Sequence, residues 1–268
     1  EGEYLIDKYN SLQVPNKITL ISKDGKNIKD ILNSKNPLEG YSVSIPKILT
    51  LKEDGKVDLF ARIILPTDFD STKKYPVIVY VYGGPHSQEI TNSWILGRYN
   101  LWFQYMAQKG FIVFSIDNRG TSFRGDDFAK ATFGELGTVE IEDHLRGVAY
   151  LKTLNYVDIN RLGVYGWSYG GFMTTSLMLK TNNTFKVGAC GGAVIDWKYY
   201  EIMYTERYMD TPQTNPQGYE KSNLLNYINN LNGKLLLVHG TSDDTVVWQH
   251  TLLFEVIIYF KQTHWKKF

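Results

Sequence analysis

Apolar positions change their spacing about a quarter of the way along the chain. Up to about residue 65, short β-forming runs alternate with turn pairs. Residues 17–22 precede Asp24-Gly25, and residues 48–52 and 57–64 flank Asp54-Gly55. Aspartate-glycine between two such runs favours a hairpin, because glycine accepts the positive φ that the turn needs. From about residue 75 the apolar runs become continuous, at 76–82, 111–117, 162–165, 185–190 and 234–239. A short run with no polar alternation predicts a strand buried on both faces. Between these runs lie helix-like segments near 99–108, 140–153, 172–179 and from 248 onward. Repeated strand–helix units predict an α/β fold, a mostly parallel sheet with helices on both faces. Ligands in such sheets bind at the carboxyl ends of the strands.

Charge removes some function classes. The chain carries 29 basic and 28 acidic residues, a net +1, well interspersed. That balance offers no footprint for nucleic acid or for an anionic membrane. No apolar stretch approaches the length of a membrane span, and no signal-peptide pattern is present. The first residue is Glu1, which predicts a piece of a longer product. A single cysteine, Cys190, leaves no internal disulfide and reads as a buried small hydrophobe.

The strongest chemical signal is Gly166-Trp167-Ser168-Tyr169-Gly170-Gly171. It follows a strand-like run and opens onto a helix-like one, the context of a nucleophile elbow. Glycines permit a tight, strained turn that lifts the serine hydroxyl clear of the backbone. The helix behind it would aim free N–H groups at developing negative charge. Ser168 therefore reads as a nucleophile. A serine needs a base, normally histidine, and a carboxylate to orient it. The run His239-Gly240-Thr241-Ser242-Asp243-Asp244 ends the last clear strand, so either aspartate could supply that carboxylate. Either could equally cap the following helix.

At this point the residues resemble the catalytic domain of the prolyl oligopeptidase family of serine peptidases, specifically its dipeptidyl peptidase IV branch. The matching stretches are Tyr80-Val81-Tyr82-Gly83-Gly84-Pro85, Asp117-Asn118-Arg119-Gly120, the elbow, Trp197-Lys198-Tyr199-Tyr200 through Tyr204-Thr205-Glu206-Arg207-Tyr208, and the run from His239 to Asp244. The resemblance implies an α/β-hydrolase fold over 66–268, C-terminally incomplete, preceded over 1–65 by the last hairpins of a β-propeller and its return linker. It implies Ser168 as nucleophile, Asp243 as triad acid, and an oxyanion hole made by the Tyr82 hydroxyl and the Tyr169 N–H. It implies a proline pocket lined by Val194, Trp197, Tyr200, Tyr204 and Val246. Thr245 stands where the family often carries asparagine.

The resemblance also implies a histidine about 30 residues after the triad aspartate, whereas the chain runs 25 residues past Asp243. His264 could take that place if residues 254–259 formed a strand, since it follows Tyr259 by five residues. Trp265 then stands where glycine is expected. A missing last strand and helix would leave an apolar sheet edge uncovered. The implied activity is release of N-terminal dipeptides after proline or alanine, acting on peptide substrates without a metal or organic cofactor. The implied setting is extracytoplasmic, with a homodimer possible. Two alternatives are an esterase or acylaminoacyl peptidase on the same fold, and an inactive peptide-binding pseudoenzyme.

Overall fold

The hairpins of the N-terminal quarter divide between two different sheets. A computed structural model describes residues 2–94 and 100–264, residues 100 and 260–264 by backbone alone. Strands β1 (Tyr4–Tyr9), β2 (Lys17–Ser22) and β3 (Asn27–Asn33) form a three-stranded antiparallel sheet. Both outer strands are exposed along their whole length, so this sheet buries little core of its own. The next two strands, β4 (Lys47–Leu51) and β5 (Leu59–Ile64), instead pair inside the main sheet. A domain boundary at 65 would cut that sheet; the division between sheets falls between β3 and β4.

The main sheet adds β6 (Tyr75–Tyr80), β7 (Ile112–Asp117), β8 (Val157–Trp167), β9 (Val187–Gly191) and β10 (Lys234–Val238). Its order is β10-β9-β8-β6-β7-β5-β4, with β6 to β10 mutually parallel and β5 antiparallel to β7. The period-two geometry of a strand sends alternate side chains to opposite faces. Ile112, Phe114 and Ile116 enter one core, while Val113 enters another with Phe103 and Ala107. Helix α1 (Asn100–Gln108) supplies the second core. The larger core is covered by α3 (Val139–Lys152), which follows the short α2 (Asp126–Lys130), and by α4 (Tyr169–Lys180). Helices thus cover both faces, as the alternating pattern predicts.

Helix α4 is buried at every position from Tyr169 to Leu179, so it runs through the interior. After β9 come a 3-10 turn (Trp197–Tyr199), α5 (Ile202–Met209) and α6 (Pro216–Ser222), all too short for a periodic signal in the sequence. The last helix, α7 (Gln249–His264), takes in residues 254–259, which corrects the strand on which a triad role for His264 depended. Its physical reason is the burial pattern: His250, Thr251 and Phe254 are buried with Ile257 and Ile258 half-buried, a helical stripe. The side chain of His264 lies outside the described residues. Strand β10 forms one edge of the sheet among the described residues, with Leu236 and Val238 exposed. Cys190 is free and buried, and burial pushes its thiol up to about 11.

Candidate active site

Ser168 stands at the junction of β8 and α4 with φ 59° and ψ −119°. A side chain there costs ~1–3 kcal/mol and persists only where the surroundings fix the backbone. They do. The Ser168 N–H donates to the Gly191 carbonyl at 2.8 Å, and its carbonyl accepts from the Phe172 N–H at 3.0 Å. The flanking glycines are a steric requirement, because a Cβ on Gly166 or Gly170 would overlap the Val81 carbonyl oxygen. The ends of β6, β8 and β9 therefore meet backbone to backbone around this serine. Its side chain is half-exposed, and no hydrogen bond holds its hydroxyl among the described residues. Tyr169 is the first residue of α4, so its N–H has no intrahelical acceptor and lies at the positive end of the helix dipole.

Tyr82 leaves β6 in a turn whose Gly83 has φ 75°. Asn118 Nδ2 donates to the Gly83 carbonyl at 3.0 Å and so pins the turn. Asn118 is in turn fixed by its neighbour. Arg119 donates from its guanidinium to both oxygens of the fully buried Asp143 on α3, at 2.9–3.1 Å. A bidentate pair of this kind sets orientation as well as distance. The Tyr82 ring centroid lies 6.3 Å from that of Tyr169. A Cβ on Gly84 would meet both rings at 3.0 Å.

Aromatic contacts continue from there. Tyr169 packs 5.5 Å from Trp197, which meets Tyr200 edge-on at 5.5 Å and stacks on Tyr204 at 6.0 Å and 12°. Val194 and Val246 are buried in the same apolar cluster. Ring contacts therefore bring Tyr82, Tyr169, Trp197, Tyr200 and Tyr204 together, while Val194 and Val246 share the main core with them. Burial, and next the Tyr82 hydroxyl, raise the Tyr204 phenol. Burial, then Glu201, Tyr82 and Asp243, raise that of Tyr200. Both phenols stay neutral donors at neutral pH.

Asp243 follows β10 and closes the turn ahead of α7. One oxygen, Oδ1, accepts from the N–H groups of Thr245 at 3.1 Å and Val246 at 2.9 Å. The other, Oδ2, lies 3.5 Å from where a Gly192 Cβ would stand, beside the residue that accepts from Ser168. Asp244 takes the Thr245 hydroxyl, at 3.3 Å, and no other hydrogen bond among the described residues. A single carboxylate thus closes a turn with one oxygen and turns the other toward the elbow.

The described histidine side chains have other partners. His239 Nε2 lies 2.6 Å from the Val246 carbonyl, so it carries the proton, and Nδ1 accepts from the Thr251 hydroxyl at 2.7 Å. Asp243 Oδ2 is 3.6 Å from that Nε2, beyond hydrogen-bond range. His86 packs 5.9 Å from Tyr208. His144, on α3, is buried and donates from Nδ1 to the Glu140 carbonyl at 2.9 Å. His250 is buried, and its Nδ1 accepts from the Ile195 N–H at 3.1 Å, which requires it to be unprotonated.

Burial, and next His239, lower the His250 imidazole to about 4. Below the unfolded value of about 6.5 the unfolded chain takes up a proton that the folded chain refuses. Stability is then present above that pH and is lost as pH falls toward 4. A loss of about 2 kcal/mol is expected between about pH 7.5 and about pH 5. Urea unfolding at the two pH values measures it, and His250→Gln is expected to flatten the dependence.

Sheet order, a strained serine between strand and helix, and an adjacent aspartate loop define an α/β-hydrolase domain. The prolyl oligopeptidase family model matches residues 98–258, and the chain belongs to that family. It is 32% identical over 255 residues to the Aspergillus flavus protein named "Probable dipeptidyl peptidase 4", which covers 92% of this chain and 33% of the relative. A solved Bacteroides ovatus structure, of a protein named after dipeptidyl aminopeptidase IV, superposes with TM-score 0.91 and 52% identity over 96% of this chain and 36% of that one. The Porphyromonas gingivalis dipeptidyl peptidase 4 structure gives TM-score 0.88 and 34% identity over 96% and 37%. The chain spans about a third of the length of these proteins.

Proposed function

We propose that this domain hydrolyses peptide bonds after proline or alanine, releasing N-terminal dipeptides through an acyl-enzyme on Ser168. The observation that carries the reading is an aromatic set in which Trp197 packs on Tyr169, the residue after the serine, and Tyr200 and Tyr204 pack on Trp197. A proline ring is compact and apolar, so flat aromatic walls bind it without charge. In the proposed reaction Ser168 Oγ bonds to the substrate carbonyl carbon, and its proton passes to a base. The carbonyl oxygen becomes an oxyanion held by the Tyr82 hydroxyl and the Tyr169 N–H. The C–N bond then breaks, the amine leaves with a proton, and water hydrolyses the ester. Asp243, through Oδ2, is the proposed triad acid, and Val194 and Val246 complete the pocket.

Hydrolysis of Gly-Pro anilide at least about tenfold faster than Gly-Leu anilide is the expected result, since pocket fit is worth ~10–200-fold. Turnover of a short acyl ester with no Gly-Pro preference would instead support an esterase or acylaminoacyl peptidase. A second reading, peptide binding without turnover, draws on the histidines, whose described side chains all have other partners. Calorimetric binding of a Gly-Pro peptide without product would favour it. The family also supports an extracytoplasmic setting and a homodimer, and no described helix is long and apolar enough to cross a membrane.

A further inference from the structure

Helix α3 carries a carboxylate that no step above uses. Glu140 is fully buried in the first turn of α3. Its two oxygens accept from the Gly137 N–H at 3.1 Å and the Thr138 N–H at 3.1 Å, the groups just before the helix. Thr138, at the N-cap, makes no side-chain cap of its own, so Glu140 does that work by reaching back. One more donor reaches it from another element. The Tyr169 hydroxyl donates to Glu140 Oε1 at 2.6 Å, with both groups buried.

All the donors around this carboxylate point inward, and it sits at the positive end of α3, so the ionised form is the one that fits. Burial raises the Glu140 carboxyl, and the Tyr169, Gly137 and Thr138 donors oppose that rise. Burial, and next the Glu140 charge, raise the Tyr169 phenol well above its usual range, which keeps its proton in the bridge. The phenol end of Tyr169 is therefore tied to α3 while its backbone begins α4.

Nothing in the apolar packing demands that tie. Phenylalanine would make the same ring contacts with Tyr82, Phe172 and Trp197 that Tyr169 makes. A buried hydroxyl costs free energy unless it is hydrogen-bonded, and Glu140 supplies that bond here. The rigid ring links the bonded oxygen to a backbone N–H one residue past Ser168. Fixing one end restricts the other.

We propose that Glu140 is a positioning residue that, through the Tyr169 hydroxyl, holds the Tyr169 N–H and ring in the geometry that receives the oxyanion and the substrate side chain. This rests on the proposed role of Ser168 and the Tyr169 N–H. The same helix also holds the other proposed donor, since Asp143 anchors Arg119 beside the Asn118 that pins the Tyr82 turn. One helix end thus registers both halves of the oxyanion site.

The test compares the full chain with Tyr169→Phe, Glu140→Gln and the double variant. A fluorophosphonate probe gives the maximal labelling rate of Ser168 and the probe's half-saturating concentration. Each single change is expected to slow the maximal rate roughly ten- to hundredfold, because small misplacements at a reacting centre cost that much. Half-saturation is expected to move less than about twofold, and the double variant to be no slower than the slower single one, since both remove one bond. Multiplying losses, or a change confined to half-saturation, would overturn the proposal.

A second readout needs no reactive serine. In a ¹⁵N-tyrosine-labelled sample, the Tyr169 amide is assigned by its loss in Tyr169→Phe. Glu140→Gln is expected to shift that amide while leaving Tyr75 in place. An unmoved Tyr169 amide, or a shift of all tyrosines together, would overturn the inference. Absence of labelling in the unmodified chain would count against the Ser168 reading alone, and the amide shift would still decide the role of Glu140.

Discussion

Ser168→Ala is expected to lower Gly-Pro anilide hydrolysis by at least about 10³-fold, and the loss reaches about 10⁶-fold when nucleophile and base act as one unit. The size follows from covalency. Without Oγ no ester forms, and only binding and the oxyanion donors remain to assist water. Alanine keeps a Cβ at the φ of 59°, so the backbone strain of the elbow is unchanged. The Ser168 N–H and carbonyl bonds, to Gly191 and Phe172, are also kept. Stability within about 0.5 kcal/mol of the parent is therefore expected, as for a change away from packing and buried polar groups. Steady-state kinetics and urea unfolding on the same preparations check both parts. Retained turnover would remove Ser168 from the chemistry.

Tyr82→Phe carries the second-largest effect. Removing one oxyanion donor costs roughly 10²–10³-fold in kcat, about 3–4 kcal/mol. The ring stays, so its packing beside Tyr169 and Gly84 persists. The donor acts on charge that develops only in the transition state, so kcat is expected to fall with KM changed little. A rise in KM at constant kcat would make Tyr82 a binding residue instead. The turn that presents Tyr82 is anchored by Asn118 at 3.0 Å. The substitution leaves that anchor intact, so misfolding does not confuse the readout.

The parts of this account legible in the sequence are those written in local patterns. Continuous apolar runs locate β6 through β10, because strands buried on both faces have no polar alternation. The elbow glycines are legible because three backbones converge at Gly166 and Gly170 and leave no room for a side chain. Pairing is another matter. Residues 47–51 and 59–64 look like one more hairpin, and only the tertiary fold reveals that β5 lies against β7. Residues 254–259 are β-branched and aromatic over a run too short for periodicity to choose between strand and helix. The burial of His250, Thr251 and Phe254 along one stripe decides for a helix. Glu140 left a faint signal, an acid in the first turn after Gly137-Thr138, which reads as an ordinary helix start. Its link to Tyr169, 29 residues away, is long-range and invisible to local pattern.

The different surroundings of the two Asp243 oxygens belong to the same class. Sequence can say that an aspartate before a helix caps it or serves catalysis. It cannot say where each oxygen lies. In the structure Oδ1 takes the Thr245 and Val246 N–H groups, and Oδ2 approaches Gly192 at the ends of β8 and β9.

The central claim is that Ser168 is the nucleophile of this domain. The most direct test treats the folded chain with a fluorophosphonate and maps the adduct by peptide mass spectrometry. The account predicts one modified residue, Ser168, and no adduct in Ser168→Ala. An adduct on another residue, undiminished labelling of Ser168→Ala, or no adduct at all in the folded chain would contradict it.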